Sequence, residues 1–464
     1  MFSITPYENT FFFKNVYFKT KDGDFLEKYI MGILVPFGLI GLGIYFLFYL
    51  NFFFIKDPKR AFSSLLKKNS GSGTSSFGAL TVALSGTLGV GNIVGVAGAI
   101  IFGGAGAVFW MLLSAFAAMI LKYAEILLAH NHRRKSEKGF LGGAMYYIED
   151  FIGGRLGKAV GIIFAIACIL NSLSMGCMLQ ANAVVSSFSE ISSVSPALIG
   201  VVLAVLCGAV ILCGVHDISP LTSIIIPAMT ILYVLISFVV IAVFREDLPR
   251  AIELIIKDAF DFRSAGGGVL GFLMSESIRY GTMRGILSNE ARCGTAPIAH
   301  SSSNAKSGAE QGIWGIIEVF VDTVVLCSLT ALSILCVFGE NTADFLTGEE
   351  MKLVLSAYGA ALGKIAAPLI SVMVFFFAFA TIICWAYYGN CIFSYLTKNK
   401  IVAAIYKIVY IICVFLGSLR VGDLIWLLSD IAIAAMTLLN LSFLFLMRRE
   451  IKSETEKYYR KKAK

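Results

Sequence analysis

Apolar runs of about 18 residues or more recur along this chain to its end, and each is long enough to cross a bilayer as a helix. That feature makes the chain a polytopic, all-α membrane protein. Composition agrees: of 464 residues, 58% are apolar and 15% charged, against roughly a quarter charged in a soluble protein. A disordered chain or a simple soluble globule is excluded. The net charge of +8 does not point to nucleic acid, because the basic residues sit in short loops and the tail. Of ten cysteines, eight (Cys168, Cys177, Cys207, Cys213, Cys327, Cys336, Cys384 and Cys413) lie in apolar runs without metal-ligand spacing, and read as small core residues. Four histidines, with neither an HExxH nor a GK[ST] motif, argue against a zinc protease or a P-loop pump.

The runs divide into eleven expected spans: Met31 to Ile55, Gly78 to Ile101, Ala105 to His130, Lys158 to Phe188, Pro196 to Cys213, Ser219 to Phe244, Gly267 to His300, Gly312 to Phe338, Gly363 to Thr397, Ile401 to Ser418 and Asp423 to Met447. The first 30 residues lack the marks of a signal peptide and are expected to be retained. Pro249 to Phe262 mixes apolar and charged residues as a short interfacial helix does. Basic residues set the orientation. Lys56, Lys59, Arg60, Lys67 and Lys68 follow span one, Arg133, Arg134, Lys135 and Lys138 follow span three, and the tail is basic. Eleven spans put all three on the cytoplasmic side and the acidic segment Glu340 to Glu350 outside, giving N-out, C-in.

Two spans contain residues that a lipid-facing helix avoids. Ser85-Gly86-Thr87-Leu88-Gly89-Val90-Gly91-Asn92 interrupts span two, and Arg284 through Pro297 interrupts span seven. Each opens a set of five spans, as two inverted-topology repeats would place them. In such proteins paired broken helices frame a midplane site, where unwound carbonyls hold a cation and half-helix N-termini face a carboxylate. The competing reading is that the glycines only permit close helix packing.

At these residues the chain resembles the alanine or glycine:cation symporter family, which belongs to the amino acid–polyamine–organocation superfamily with its LeuT-like fold. The resemblance is carried by Gly86 through Ala97, Gly106 through Met111, Lys122-Tyr123-Ala124-Glu125, Gly142 through Ile148, Gln180-Ala181-Asn182, Arg284 through Ala291, Glu310-Gln311-Gly312 and Trp385 through Gly389. It implies symport of a small neutral amino acid, chiefly alanine or glycine, with sodium. It also implies a peripheral first span and a core of 5+5 spans: residues 1–76 form the N-terminal segment, 77–447 the core (repeats about 77–244 and 267–447) and 448–464 a cytoplasmic tail. The location implied is a prokaryotic plasma membrane. The chain departs from the family at Arg292, where Gly is usual, and at Ala380, where a second hydroxyl residue often precedes Thr381.

The resemblance also implies roles. Thr87 and Asn92 would hold a sodium ion beside the substrate, and the Ser85 and Leu88 carbonyls with the Thr381 hydroxyl a second one, following hard-cation preference for oxygen. Thr381 could instead bond back to its own helix. Thr87, Val90 and Gly91 would meet the amino acid, with amide N–H groups toward its carboxylate. Asn289 would take the ammonium, and Gln180 either group or an interhelical bond. Ile286 and Trp385 would wall a methyl-sized pocket, although Trp385 alone reads more readily as core packing or an aromatic belt. Lys122 and Glu125, three residues apart near a cytoplasmic end, read as a snorkelling ion pair. Glu290 and Asp322 read as gating or structural charges that could pair with an Arg or carry a proton.

The expectation is a secondary transporter and not an enzyme, with proton coupling on the same fold as the alternative. A channel would need ring-like selectivity elements, and no nucleophile–base pair is evident. Sodium, the amino acid and the lipid bilayer are the expected partners; neither nucleic acid nor an obligatory protein partner is evident.

Overall fold

The computed structural model of the chain describes residues 30 and 32–461, apart from 63–64, 66–73, 137–138, 215–217, 261–275, 346–348, 398 and 420–422. Helix α1 is Val35–Tyr49. The first interrupted span follows as α2 (Ser76–Thr87) and α3 (Val94–Gly103), then α4 (Gly106–Asn131). A two-stranded hairpin (Arg134–Ser136 with Gly139–Leu141) leads to the short α5 (Ala144–Ile152). One long helix is continuous through α6 (Gly154–Leu173), a π-helical segment (Ser174–Met178) and α7 (Leu179–Ser189). Then come α8 (Pro196–Gly214), α9 (Ser219–Val243) and the amphipathic α10 (Leu248–Ala259). The second interrupted span is α11 (Glu276–Asn289) and α12 (Ala296–His300). Helix α13 (Gly308–Val319) runs through a second π-helical segment (Phe320–Cys327) into α14 (Ser328–Phe338). The remainder is α15 (Glu350–Leu362), α16 (Ala366–Leu396), α17 (Lys400–Leu419), α18 (Asp423–Leu446) and α19 (Arg448–Lys461).

Among the described residues, eight helices are long and apolar enough to cross a membrane; α2, α3 and α8 are shorter apolar helices. Local signals set several starts. Ser75 Oγ accepts from the Gly78 N–H at 2.9 Å, and Ser307 Oγ from the Glu310 N–H at 3.2 Å. Proline opens α1, α9, α10 and α12, where its missing N–H costs nothing.

The helices pack in two groups. Helices α2, α3, α4, α11, α12 and α13 pack on one another, with α4 gripped between α11 and α13; α6, α7, α16, α17 and α18 form a second, neighbouring set. Small residues bring α4 to backbone distance. A Cβ added at Gly312 or Gly281 would fall 2.7 Å from Tyr123 Cδ2 or 2.2 Å from the Ala107 carbonyl.

Three features differ from expectation. The second interruption is narrower, because α11 stays helical through Arg284 to Asn289 and breaks only at 290–295. Glu350 begins a helix of its own, α15. The basic tail is also helical: α19 lies on α4 and α13, with Tyr123 hydroxyl bonded to Thr455 at 2.8 Å, and its apolar stripe supplies the order that net charge alone would deny.

Candidate functional site

The first interruption is built around glycine. At Gly89 the chain turns extended, and its N–H leaves the helical ladder for the Thr87 carbonyl (2.8 Å) and Asn92 Oδ1 (3.2 Å). The Ser85 carbonyl thereby loses its helical partner. A Cβ at Gly89 would lie 2.9 Å from Thr381 Oγ1 and 3.1 Å from Gln180 Oε1, so α16 and α7 close on the break only because that side chain is missing. Gln180 Oε1 accepts the Val90 N–H at 3.4 Å, and its Nε2 donates to the Met175 carbonyl, inside the π-helical segment, at 3.4 Å.

Asn92 reaches the other way. Its Nδ2 donates to Asp322 Oδ1 at 2.7 Å and to the Asp322 carbonyl at 3.1 Å, while its own carbonyl accepts from Thr330 at 2.9 Å. Asp322 sits in the π-helical turn of the α13–α14 helix, a distortion that proteins concentrate at functional sites. Its other oxygen accepts from Ser288 at 2.9 Å, at the edge of the second interruption, and from Thr323 at 2.7 Å. This carboxylate is fully buried, joins the two interruptions, and among the described residues has no Lys, Arg or His within ion-pair distance.

The second interruption bends through Glu290 (φ +50°) and Gly294 (φ +67°), of which the non-glycine carries backbone strain. Asn289 pins the bend: Oδ1 accepts the Ala291 N–H at 3.0 Å, Nδ2 donates to Thr323 at 3.1 Å, and its carbonyl accepts from Lys122 Nζ at 2.8 Å. Lys122 also pairs with Glu318 at 3.1 Å; Glu318 meets His300 Nε2 at 3.0 Å, and His300 Nδ1 meets Gln311 Nε2 at 2.7 Å. All four side chains are fully buried.

Several expected residues thus converge: Gly89 and Val90 meet Thr381 and Gln180 on one side, and Gly91 and Asn92 meet Ser288 and Asp322 on the other. A Cβ at Gly91 would stand 3.6 Å from Ser288 Cα. Several of the expected groups are engaged locally. The Thr87 hydroxyl donates to the Ala83 and Leu84 carbonyls at 3.4 Å and Thr381 to Phe377 at 3.0 Å, so both bond back to their own helices. Ser85 Oγ does likewise, and Leu88 is buried. Trp385 packs on Gly176, where a Cβ would be 2.5 Å from Trp385 Cγ, and meets Tyr388 edge-on at 5.5 Å. Glu290 accepts from Thr295 at 2.8 Å, and among the described residues it pairs with no Arg. The side chain of Ile286 lies outside the described residues.

The snorkelling pair is a correction. Lys122 and Glu125 are both fully buried; Lys122 binds Glu318, and Glu125 accepts from Asn440 Nδ2 at 2.6 Å, whose Oδ1 takes the Tyr147 hydroxyl. Spacing on one helix says nothing of partners across an interface, and α4 is covered at this depth. Sequence reasoning missed the Lys122–Glu318–His300–Gln311 chain. Its signals were Gln311 in the Glu310-Gln311-Gly312 motif and His300 as the main histidine in a span.

Two interrupted helices, facing each other inside a helical membrane protein and lined by buried polar groups, define a secondary transporter. The chain belongs to the sodium:alanine symporter family, whose profile matches residues 19–464. It is accordingly a sodium-coupled amino-acid symporter, and the family is one of transporters and not of enzymes. An uncharacterized transporter of Haemophilus influenzae is 36% identical over 439 residues, 94% of this chain and 95% of its own length. The sodium/alanine symporter AgcS of Methanococcus maripaludis is 33% identical over 93% of this chain and 96% of its own. The probable sodium/glutamine symporter GlnT of Bacillus subtilis is 31% identical over 91% and 87%. Among solved structures, the substrate-bound, outward-open state of a sodium-coupled sialic acid symporter shares the fold, with a TM-score of 0.52 at 13% identity over 90% of this chain and 84% of its own.

Proposed function

We propose that the chain imports a small neutral amino acid, alanine or glycine, together with sodium by alternating access. The observation that carries this reading is Asp322: a buried carboxylate, reached among the described residues only by neutral donors, at the point where the two interruptions meet. An isolated buried charge is costly, and a sodium ion, which takes oxygen ligands, would balance it. In this reading Asp322, Asn92, Ser288 and Thr87 hold the first ion. The freed Ser85 carbonyl, the Leu88 carbonyl and the Thr381 hydroxyl hold the second, with Ala380 contributing no ligand.

The amino acid's carboxylate lies toward the Val90 and Gly91 N–H groups and Gln180. Asn289 shapes the opposite wall, and Ile286 and Trp385 bound the side-chain end. Sodium and amino acid stabilise the same occluded state, so each raises the other's affinity. Glu290 holds the bend of the second interruption. The core is 77–447, built as two inverted repeats of five spans (about 77–244 and 267–447) within eleven; 1–76 is peripheral, and the tail from 448 is cytoplasmic. We place the chain N-out and C-in in a prokaryotic plasma membrane. Proteoliposomes holding the protein should accumulate alanine under an inward sodium gradient and not under equal potassium, and Asn92→Ala should abolish it. Uptake indifferent to sodium would overturn the coupling.

A further inference from the structure

The chain of buried polar groups below the second interruption is not used by the transport reading above. His300 ends α12 and is fully buried, with both ring nitrogens engaged: Nε2 faces Glu318 Oε2 at 3.0 Å and Nδ1 faces Gln311 Nε2 at 2.7 Å. A carboxylate can only accept, so Nε2 carries a hydrogen in any charge state that keeps this contact. The partner at Nδ1 is different. An amide presents a donor and an acceptor of nearly the same size, related by rotation about one bond. With Nε2 of Gln311 toward the ring, the amide donates and the imidazole is neutral. With Oε1 toward the ring, Nδ1 donates and the ring is an imidazolium. Gln311 Oε1 is buried and has no partner among the described residues, so a rotation breaks no existing bond to that oxygen.

We infer that His300 is a proton-binding site, with Gln311 the group that rotates to hold the ring in either charge state. Glu318 lies between the ring and Lys122. On protonation one carboxylate serves two cations, its hold on Lys122 weakens, and the ammonium is thrown onto its other partner, the Asn289 carbonyl 2.8 Å away in the second interruption. The proton therefore acts on the backbone that frames the transport site. Other ionisable groups around α12 are His130 on α4 and Arg133 just beyond it, whose Nη1 donates to the Ser301 carbonyl at 3.1 Å, and Tyr387, Tyr388, Cys384 and Cys391 on the packed face of α16. Glu310 starts α13, Glu290 stands before α12, and α2 brings none. Among the described residues, no hydrogen bond or ion pair joins the ring to the first interruption or its cation ligands.

The inference deepens the symport reading, and the first test is independent of transport. The protein, labelled with ¹⁵N-histidine, has four histidines; the His300 signal is identified by its loss in His300→Gln. That signal should pass from neutral to doubly protonated as the pH is lowered. In Gln311→Glu, where a carboxylate must accept from Nδ1, the doubly protonated ring should persist to more alkaline pH than in the parent; in Gln311→Met, with no acceptor, it should need more acid. A His300 ring that stays neutral throughout, or a transition unmoved by both Gln311 variants, overturns the proposal. In proteoliposomes, sodium-driven uptake should follow internal pH with the same midpoint and lose that dependence in His300→Gln. An unchanged pH profile in His300→Gln overturns the link to transport. Loss of uptake at every pH in wild-type protein would refute the symport reading and leave the spectroscopic result standing.

Discussion

Lys122→Met removes the one ammonium that joins Glu318 to the second interruption while keeping most of the side chain's length. Two groups lose a partner: Glu318 Oε1, 3.1 Å from Nζ, and the Asn289 carbonyl, 2.8 Å from it. Both are fully buried, so water cannot replace the lost contacts. Breaking a buried pair by removing one partner costs about 3–5 kcal/mol, whereas replacing both members by neutral groups of similar volume is often close to neutral. Lys122→Met alone should therefore lower the thermal unfolding midpoint of the detergent-solubilised protein by many degrees. Glu318→Gln alone strands the ammonium and should do the same. The double variant should recover at least about 2 kcal/mol relative to the sum of the singles, an interaction energy expected only of groups in contact. The cycle is read from the three variants and the parent in one detergent. Singles that cost less than about 1 kcal/mol, or a double variant as unstable as the sum, would refute the claim that this pair is a desolvated unit.

Asp322→Asn keeps the size and the contact with Asn92 but removes the charge, and should weaken the apparent sodium affinity for uptake tenfold or more, about 1.4 kcal/mol; an unchanged sodium dependence removes Asp322 from the cation site. Gly89→Ala should abolish uptake, since its Cβ meets Thr381 and Gln180, while Gly91→Ala, with 3.6 Å to its nearest neighbour, should keep a measurable fraction; equal effects on uptake would contradict the described packing of the break. At the end of α4, outside the spans, His132 lies 2.9 Å from Asp150 and 3.2 Å from Glu450. Burial opposes its charge, but hydrogen bonds to Glu450 and Asp150 outweigh burial and raise its pKa. Its stabilising contribution is thus complete below about pH 6.5 and is lost as pH rises through the raised folded value. Unfolding midpoints measured from pH 5.5 to 8.5 should fall more steeply in the parent than in His132→Gln, and parallel curves would show that this latch contributes nothing.

What the sequence made legible was whatever depends on one segment at a time. The length of an apolar run announces α9 or α16, and Gly89-Val90-Gly91-Asn92 announces a break, because each is a local cost that lipid would otherwise impose. Contacts between segments were not legible. Lys122 and Glu125 share a helix face, and nothing in their spacing tells that one meets Glu318 and the other Asn440. The same limit hid the commitment of Asn289 to its own turn and the burial of Trp385 against Gly176. The hairpin after α4 and the helical tail escaped notice because their order comes from docking onto the bundle, as in Thr455 on Tyr123.

The Lys122–Glu318 pair also bears on how such a chain is made. The ammonium of α4 reaches the membrane before α13 has been synthesised, and its carboxylate partner does not yet exist. A lysine in a span raises the free energy of insertion, by roughly 2.5–3.5 kcal/mol at a helix centre, so α4 enters the bilayer on the strength of its remaining apolar residues, with only Glu125 on the same helix to offset the charge. The arrival of Glu318 then turns a tolerated charge into a fixed member of the fold.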